Sequence, residues 1–371
     1  FVELERADEE ARKRIRCGFV STKSITQGEQ VGVLWSELLR RGVKIHFAHR
    51  TFKWSNEAPG KAAVHCVIIG FGRSEADHKR MFDYADVKGV PHERQVSNIS
   101  PYLTDGPDLI VAKRTKPLMP MPNMRCGNKP TDGGHLLLTP AERTELLAHE
   151  PEAEAFIKRY IGSEEFINGK ERYCLWLVDA TPTQLHAMPL VKKRVEAVRR
   201  FREASSAAPT KRATSTPTRF FYQSQPDSDY ILIPEVSSER RHYVPVGWMT
   251  KDVITSNKNY IIAQPNLFLF GVLQSAMHMA WMRLCAGRLE GRYQYSGSMV
   301  YNTFPWPQKL EDKHRDAIEA TAQNVLDARK AHTGATLAQL YDPNIMPPNL
   351  TKAHAKLDRA VDAAYMPDGG Q

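Results

Sequence analysis

The chain has 371 residues, of which 42% are hydrophobic and 25% are charged, as in an ordinary globular protein of two or three domains. Its 51 basic and 42 acidic residues give a net charge of +9, which suits a polyanionic partner. The five cysteines lie far apart without Cys-x-x-Cys spacing, so we expect no disulfide framework, no metal site and a reducing cytoplasm. No apolar run approaches the roughly 20 residues that span a bilayer, so we expect no membrane partner.

The N-terminal part of the chain predicts helices and strands in alternation. A charged helix is predicted over residues 3–16, and GEQVGVLWSELLRR (28–41) spaces its apolar residues as one buried helical face does. Strands are predicted at 18–25, 43–50 and 62–71, and the last is almost continuously apolar, which is typical of a strand buried on both faces. Together they form half of an α/β sheet. No glycine-rich phosphate turn follows an early strand.

Three stretches of this part resemble one known family. STKSITQGEQVGVLW (21–35), FKWSNEAPGKAAVHCVIIGF (52–71) and NISPYLTDGPDLIVAKR (98–114) are similar to the later methyltransferase motifs of the MmeI-like enzymes. Those are fused restriction–modification proteins that methylate adenine in DNA, and their order is nuclease, helical connector, methyltransferase, target-recognition domain and helical tail. The resemblance implies that this chain is a fragment, the C-terminal portion of such an enzyme.

Two motifs of the family are missing from the sequence. They are the glycine motif that binds S-adenosylmethionine and the Asn-Pro-Pro-Phe/Tyr motif that holds the target amine of adenine. The resemblance itself implies S-adenosylmethionine as the cofactor of the parent enzyme. We expect this chain alone to bind no cofactor, to contain no catalytic residue and to be inactive.

The remaining matches set the predicted domain organisation. IGSEEFINGKERYCLWLVD (161–179) resembles a signature of the family's target-recognition domain, and residues 336–365 resemble its helical tail. The resemblance implies an α/β protein with a partial class I (Rossmann-like) methyltransferase sheet in residues 1–115. A mixed α/β target-recognition domain would follow in 116–307, and a helical domain in 308–371. The implied partner is double-stranded DNA.

Local patterns in the recognition segment predict three further elements. TPAERTELLAHEPEAEAFIKRYI (139–161) predicts a helix capped by Thr139, with Glu142 placed to complete a capping box. FINGKERYCLWL predicts a β-hairpin, because β-formers flank the Asn-Gly pair at 168–169. The apolar stretch 267–287 predicts a single helix that ends at its terminal glycine.

Basic residues concentrate between positions 191 and 221. A helix is predicted first, and the following segment 204–218 is poor in apolar residues and is expected to be mobile. Such a pattern suits contacts with DNA phosphates, which give affinity and salt dependence without reading sequence. Alternatively, it is a solvated helix face beside a flexible loop. The predicted backbone contacts are Lys192, Lys193, Arg199, Arg200, Lys211 and Arg212.

Three residues are nominated as contacts with bases. In related adenine methyltransferases an aromatic residue that closes the last sheet strand stacks on the flipped base, and Phe71 matches it; alternatively, Phe71 is a core aromatic at a strand end. The stretch 281–307 is rich in arginine and aromatic residues, and in this family a charged pair separated by one residue there reads one base pair. The pair is Glu290 and Arg292, suited to the cytosine amine and the guanine acceptors.

The same stretch also contains aromatic residues that invite a stacking role. We expect Tyr301, Phe304 and Trp306 instead to be structural anchors. Two function classes remain open at this point. The chain is either the DNA-recognition module of an adenine methyltransferase, or a non-catalytic DNA-binding or specificity protein that reuses the same domains in phage defence.

Overall fold

A computed structural model describes residues 8–54, 64–86, 88–308 and 310–366. The chain divides into two compact units. The first comprises Phe1–Leu118 with Ala280–Pro305, and the second comprises Met119–Met279 with Trp306–Gln371. Within the four described ranges, no helix combines the length and the apolarity needed to cross a membrane.

The first unit is built on a five-stranded mixed sheet. Its elements are α1 (Glu9–Arg14), β1 (Arg16–Thr22), a 3-10 turn (Lys23–Thr26), α2 (Glu29–Arg40), β2 (Lys44–Trp54), β3 (Val64–Gly72), β4 (Lys79–Tyr84) and β5 (Pro91–Val96). The strand order is β1-β3-β2-β4-β5. Only β2 and β4 run parallel, and the other neighbours are antiparallel. The described part of the predicted N-terminal helix is α1.

The predicted amphipathic helix is α2, and its packing explains why it forms. Val31 and Trp35 are buried, and the indole Nε1 of Trp35 donates to the carbonyl oxygen of Ile25 at 2.8 Å. Leu34 remains 36% exposed, so the buried face is narrower than its apolar spacing predicts. β3 is an inner strand of the sheet and buries Val67, Ile69 and Phe71.

The second unit begins with short strands and helices around a shared core. They are β6 (Met124–Cys126), β7 (Leu137–Leu138), α3 (Pro140–His149), β8 (Ile157–Ile161), α4 (Ser163–Asn168), β9 (Tyr173–Leu175), α5 (Pro182–Ala187), α6 (Pro189–Glu203) and α7 (Ala208–Arg212). The Thr139–Glu142 capping box of α3 is present, as predicted. The helix predicted to run to residue 161 nevertheless ends at His149, since a 3-10 turn follows and Ile157–Ile161 pairs as a strand.

The prediction of a hairpin around residues 168–169 is wrong. Residues 163–168 form α4, whose start is capped because Glu165 accepts the backbone N–H of Gly162 at 2.9 Å. Gly169 ends the helix with a φ of +66°, a left-handed conformation that glycine tolerates at helix ends. The Asn-Gly pair therefore marks a helix C-terminus, and Phe166 and Ile167 are buried on the inner face of α4.

The middle of the second unit adds five strands and the start of the apolar helical region. The elements are β10 (Tyr230–Pro234), β11 (Val236–Ser237), β12 (Gly247–Met249), β13 (Ile254–Thr255), β14 (Asn259–Ala263), α8 (Leu267–Leu273) and α9 (Ala276–Cys285). β12, β10, β14 and β6 form one four-stranded sheet, and β13, β8, β9 and β7 form another.

The helix predicted over 267–287 is in fact two helices, α8 and α9. Their break lies at Gln274 and Ser275, where the Gln274 side-chain amide donates to the carbonyl of Val244 at 2.7 Å. The Ser275 hydroxyl donates to the carbonyl of Val272 at 2.7 Å. The Ser275 bond satisfies a carbonyl that a continuous helix would pair internally, and Asp358 accepts the backbone N–H of Ala276 at 2.8 Å. The apolar pattern continues through the break and conceals it.

The last elements are a hairpin and a helical tail. They are β15 (Gly287–Leu289), β16 (Arg292–Gln294), a π-helical turn (Gly297–Tyr301), α10 (Asp312–Lys330), α11 (Leu337–Leu340) and α12 (Pro348–Tyr365). α10 packs on α8, where a Cβ on Gly271 would lie 2.9 Å from Ile318 Cγ2. The α/β class and the helical C-terminal tail are as predicted.

A buried polar network joins the tail to the rest of the second unit. Arg329 donates to the Tyr341 hydroxyl and to the carbonyl of Val246, each at 2.7 Å. The Tyr341 hydroxyl lies 2.8 Å from His354 Nε2, and Asp358 accepts the hydroxyl of Tyr243 at 2.8 Å. The tail is thus an integral part of this unit.

Candidate nucleic-acid interface

The nominated pair Glu290 and Arg292 lies at the tip of the β15–β16 hairpin. Leu289 pairs with Arg292 in the strand register, so Glu290 and Gly291 form a two-residue turn. Glu290 has a φ of +57°, which is uncommon for a residue with a side chain and is a feature that clusters at functional sites.

The two charged side chains lie together in solvent. Arg292 Nη2 donates to Glu290 Oε2 at 3.0 Å, and the two side chains are 48% and 76% exposed. An exposed ion pair of this kind contributes only about 0–1 kcal/mol. Separating the two charges to contact another ligand therefore costs little. One turn thus presents an anionic acceptor and a cationic fork of donors side by side.

Residues behind the turn hold it in place. Arg288 stacks on the ring of Tyr293, with its guanidinium carbon 3.6 Å from the ring centroid, and Tyr293 and Tyr295 are buried. The Lys23 ammonium donates to the carbonyl oxygen of Glu290. Lys23 lies far away in the sequence, and nothing in the local pattern around it signals a contact with this hairpin.

The remaining aromatic residues of the stretch are unavailable for stacking. Tyr301, Phe304 and Trp306 are each at most 3% exposed, as expected of structural anchors. Close by, Trp281 Nε1 donates to the hydroxyl of Thr303 at 3.2 Å.

Phe71 is the last residue but one of β3, an inner strand of the first unit's sheet. Its ring is 6% exposed and lies 5.4 Å, centroid to centroid, from the ring of Phe19, which is 58% exposed. Most of the Phe71 ring is thus covered in this form of the chain, and Phe19 is the aromatic residue that faces solvent. The stacking role of Phe71 stays a prediction.

The six nominated backbone contacts are all exposed. α6 turns Val191, Val195 and Val198 inward, which leaves its four nominated basic residues on the outer face. A cavity of about 460 Å³ is lined by Lys193, Arg194 and Arg200 together with Glu142 and Glu145. The exposed residues are Lys192, Lys193, Arg199, Arg200, Lys211 and Arg212.

One basic residue of this segment, Arg202, is buried. Its contacts bear on the expectation that residues 204–218 are mobile. Arg202 is 0% exposed, and its guanidinium donates to five backbone carbonyls at 2.7 to 3.0 Å, those of Pro130, Thr131, Ala213, Thr216 and Arg219. The segment 204–218, expected to be mobile, contains α7 and a 3-10 turn. Because Arg202 binds backbone carbonyls within this segment, Lys211 and Arg212 project from ordered backbone.

Three family models match successive parts of the chain. The family model "MmeI, target recognition domain" matches residues 105–308, "MmeI, DNA-methyltransferase domain" matches residues 4–83, and "MmeI, C-terminal domain" matches residues 289–370. DNA methyltransferase A of Bacillus subtilis (strain 168) is 43% identical over 350 residues, which are 94% of this chain and 39% of that protein.

A solved structure gives the same result in three dimensions. The type IIL restriction–modification enzyme MmeI, solved in complex with DNA, superimposes with a TM-score of 0.91 at 51% identity. The match covers 98% of this chain and 48% of that one, so the chain spans less than half the length of both relatives. Because the target-recognition model alone matches more than half of the sequence, the chain belongs to the MmeI family.

Proposed function

We propose that this chain is the DNA-reading portion of an adenine-specific DNA methyltransferase of a restriction–modification system. The parent enzyme would present a flipped adenine to S-adenosylmethionine in the cytoplasm, and this chain alone would bind duplex DNA without transferring a methyl group. The observation that carries the proposal is the exposed Glu290–Arg292 pair on a braced turn. The two relatives, a DNA methyltransferase and an enzyme solved with DNA, support it.

The chemistry of the pair specifies which base pair it would read. A carboxylate accepts a hydrogen bond from the cytosine amine, and a guanidinium donates to the two acceptors on the major-groove edge of guanine. We infer that Glu290 would bind the cytosine and Arg292 the guanine of a single C·G pair, because one turn brings the two side chains together. Reading of this kind contributes about 1–3 kcal/mol of discrimination per base pair.

Reversing both charges is expected to change the accepted base and to preserve the fold. In Glu290→Lys with Arg292→Asp, the donor and the acceptor exchange places on an exposed turn. Binding to a library of duplexes that differ at each position, measured by sequencing the bound fraction, should show a changed preference at one position only. Glu311 and Lys313 form a matched exposed pair with the same spacing, 2.8 Å apart. Reversing that pair should leave the preference as it is, and an unchanged preference in the first variant would contradict the assignment.

The exposed basic residues of α6 are proposed to contact phosphates. Lys193 and Arg200 line one cavity, so replacing both by glutamine should remove up to two phosphate contacts. The slope of log K against log salt concentration should then fall by about 1.8, or about 0.9 per contact. Binding should weaken equally on every duplex, because phosphate contacts carry no sequence information.

A charge-matched control separates local contacts from overall charge. Lys352 and Lys356 are exposed on α12, and replacing both by glutamine removes the same charge from a helix outside this segment. Fluorescence anisotropy across a range of salt concentrations measures both slopes. Equal slopes in the two double variants would contradict the proposed phosphate contacts of α6.

The second candidate function is a DNA-binding or specificity protein without catalysis. It keeps the same reading turn and basic helix, and it differs in what surrounds the recognition unit in the full gene product. Sequencing methylated sites in cells that carry the full gene separates the two. Methylated adenine in a fixed sequence context is expected for the methyltransferase. DNA that binds the protein and remains unmethylated would favour the second function.

A further inference from the structure

A small cavity of the first unit lies directly behind the reading turn. Its volume is about 180 Å³, and Gly291 of the turn forms part of its wall. Among the described residues that line it, four are cationic and none carries a carboxylate. Small-molecule sites usually measure about 300–1,000 Å³, so this cavity suits one compact anionic group. The four cations are Lys23, Arg50, Arg283 and Arg288.

Three of the four cations are held in position by neighbouring groups, and the first is Lys23, whose ammonium donates to the carbonyl of Glu290. Arg50 donates to Asp83 at 2.9 Å. Arg288 stacks on Tyr293 and donates to the carbonyl of Arg283 at 3.2 Å. These contacts fix where the positive charges point before any ligand arrives, which lowers the entropic cost of binding.

Arg283 differs from the other three. Its side chain is exposed, and among the described residues its guanidinium forms no ion pair. It lies in the last turn of α9 and lines the cavity, and its guanidinium retains its full donor capacity. A guanidinium in this position can bind two oxygens of a phosphate at once.

We propose that this cavity binds one phosphate of the DNA backbone and thereby sets the position of the reading turn. The Lys23 ammonium bonds to the carbonyl of Glu290, so a single residue contacts both the cavity and the turn. A phosphate bound there would fix the distance from the DNA backbone to Glu290 and Arg292. This division of labour, in which phosphate contacts position the protein and base contacts specify the sequence, is general. The inference rests on the proposed DNA-binding function.

Arg283→Gln in the 371-residue chain tests the cavity. With a pool of random-sequence duplexes as the probe, the slope of log K against log salt should fall by about 0.9. Raising salt from about 50 to 200 mM should then weaken the variant about 3.5-fold less than the unaltered chain. Arg283→Lys keeps the charge and should retain the slope. Lys88→Gln removes an exposed charge that does not line the cavity and should give a slope distinct from that of Arg283→Gln.

The outcomes separate this inference from the function on which it rests. If the unaltered chain binds duplexes and Arg283→Gln keeps its full slope, the cavity is not a backbone site and the proposed function stands. If the unaltered chain binds no duplex at all, the proposed function fails first. Inorganic phosphate is the second probe: if Arg283→Gln loses affinity for it while the DNA slope is unchanged, the cavity binds free phosphate and the backbone assignment is overturned.

Discussion

Replacing Arg202 by methionine is expected to destabilise the second unit by about 3–5 kcal/mol. Arg202 is 0% exposed and donates to five carbonyls. Methionine fills a similar volume and supplies no donor, so buried carbonyl oxygens lose a charged partner. Each acceptor left unsatisfied in the interior costs about 1–3 kcal/mol. Urea unfolding of the variant and the unaltered chain, extrapolated to water, measures the difference.

Two companion variants show whether the donors themselves are responsible. Arg202→Lys retains the charge, but its single ammonium cannot reproduce the planar fork of donors, so we expect an intermediate loss. Arg200→Met changes an exposed neighbour on the same helix and should alter stability by no more than about 0.5 kcal/mol. Hydrogen exchange should also show faster exchange of amides in 204–218 for Arg202→Met. A variant that unfolds with the unaltered free energy and keeps those amides protected would refute the role of Arg202.

Arg202 also shows where reasoning from sequence stops. Its segment has the composition of a solvated basic helix followed by a loose loop, because Ser, Thr, Ala and Pro dominate residues 204–218. The order of that segment comes from one side chain that reaches backbone carbonyls at residues 130–131 and 213–219. Contacts between distant parts of the chain leave no local periodicity. Only the three-dimensional structure distinguishes the buried arginine from its exposed neighbours.

Elements were predicted well where local pattern and packing agree. The apolar spacing of α2 and the capping box at Thr139 each correspond to a helix that begins where predicted. Residues 163–168 were mispredicted because Asn-Gly suits both a hairpin turn and a helix C-terminus. Here Glu165 supplies the cap that favours the helix. The break between α8 and α9 leaves no local signal, because the carboxylate that accepts the first N–H of α9 comes from Asp358 in the distant tail.

In the candidate interface, too, some features are predictable from the sequence and others are not. Glu290 and Arg292 were nominated from a family resemblance, and the structure places them at an exposed turn with their charges paired. The cavity behind them was not foreseen, because Lys23 and Arg50 come from the N-terminal sheet region and Arg283 and Arg288 from the hairpin region. Its residues are individually ordinary, and only the fold brings their charges together.

Acid is expected to destabilise the second unit through two buried histidines. His278 and His354 are both 0% exposed. Burial lowers the pKa of His278 to about 3, and burial, followed by the charge of Arg329, lowers the pKa of His354 well below its usual value. Below pH 6.5 the unfolded chain binds protons that the folded chain cannot. Stability therefore falls as the pH decreases from 6.5 toward the folded pKa, by about 1.4 kcal/mol per pH unit for each histidine.

His278→Leu isolates one of these contributions. His278 is fully buried on α9, and leucine removes the titrating group without adding a polar atom. The unfolding free energy lost between pH 7.5 and pH 5 should shrink by about 2 kcal/mol relative to the unaltered chain. His354 is less suitable, because its Nε2 lies 2.8 Å from the Tyr341 hydroxyl and its ring stacks on Tyr243. Replacing it would disturb that network as well as the titration.

Comparing the variants over the same pH range cancels the contributions of the other titrating groups. The backbone N–H of Thr139, followed by Arg194, lowers the pKa of Glu142 to about 2, and that carboxylate also loses its stabilising partners in acid. Its contribution is the same in every variant and cancels in the difference between them. His242→Leu replaces a histidine that is exposed in the folded chain and should leave the loss between the two pH values as it was. If His278→Leu also leaves that loss unchanged, the buried imidazole does not cause the acid sensitivity.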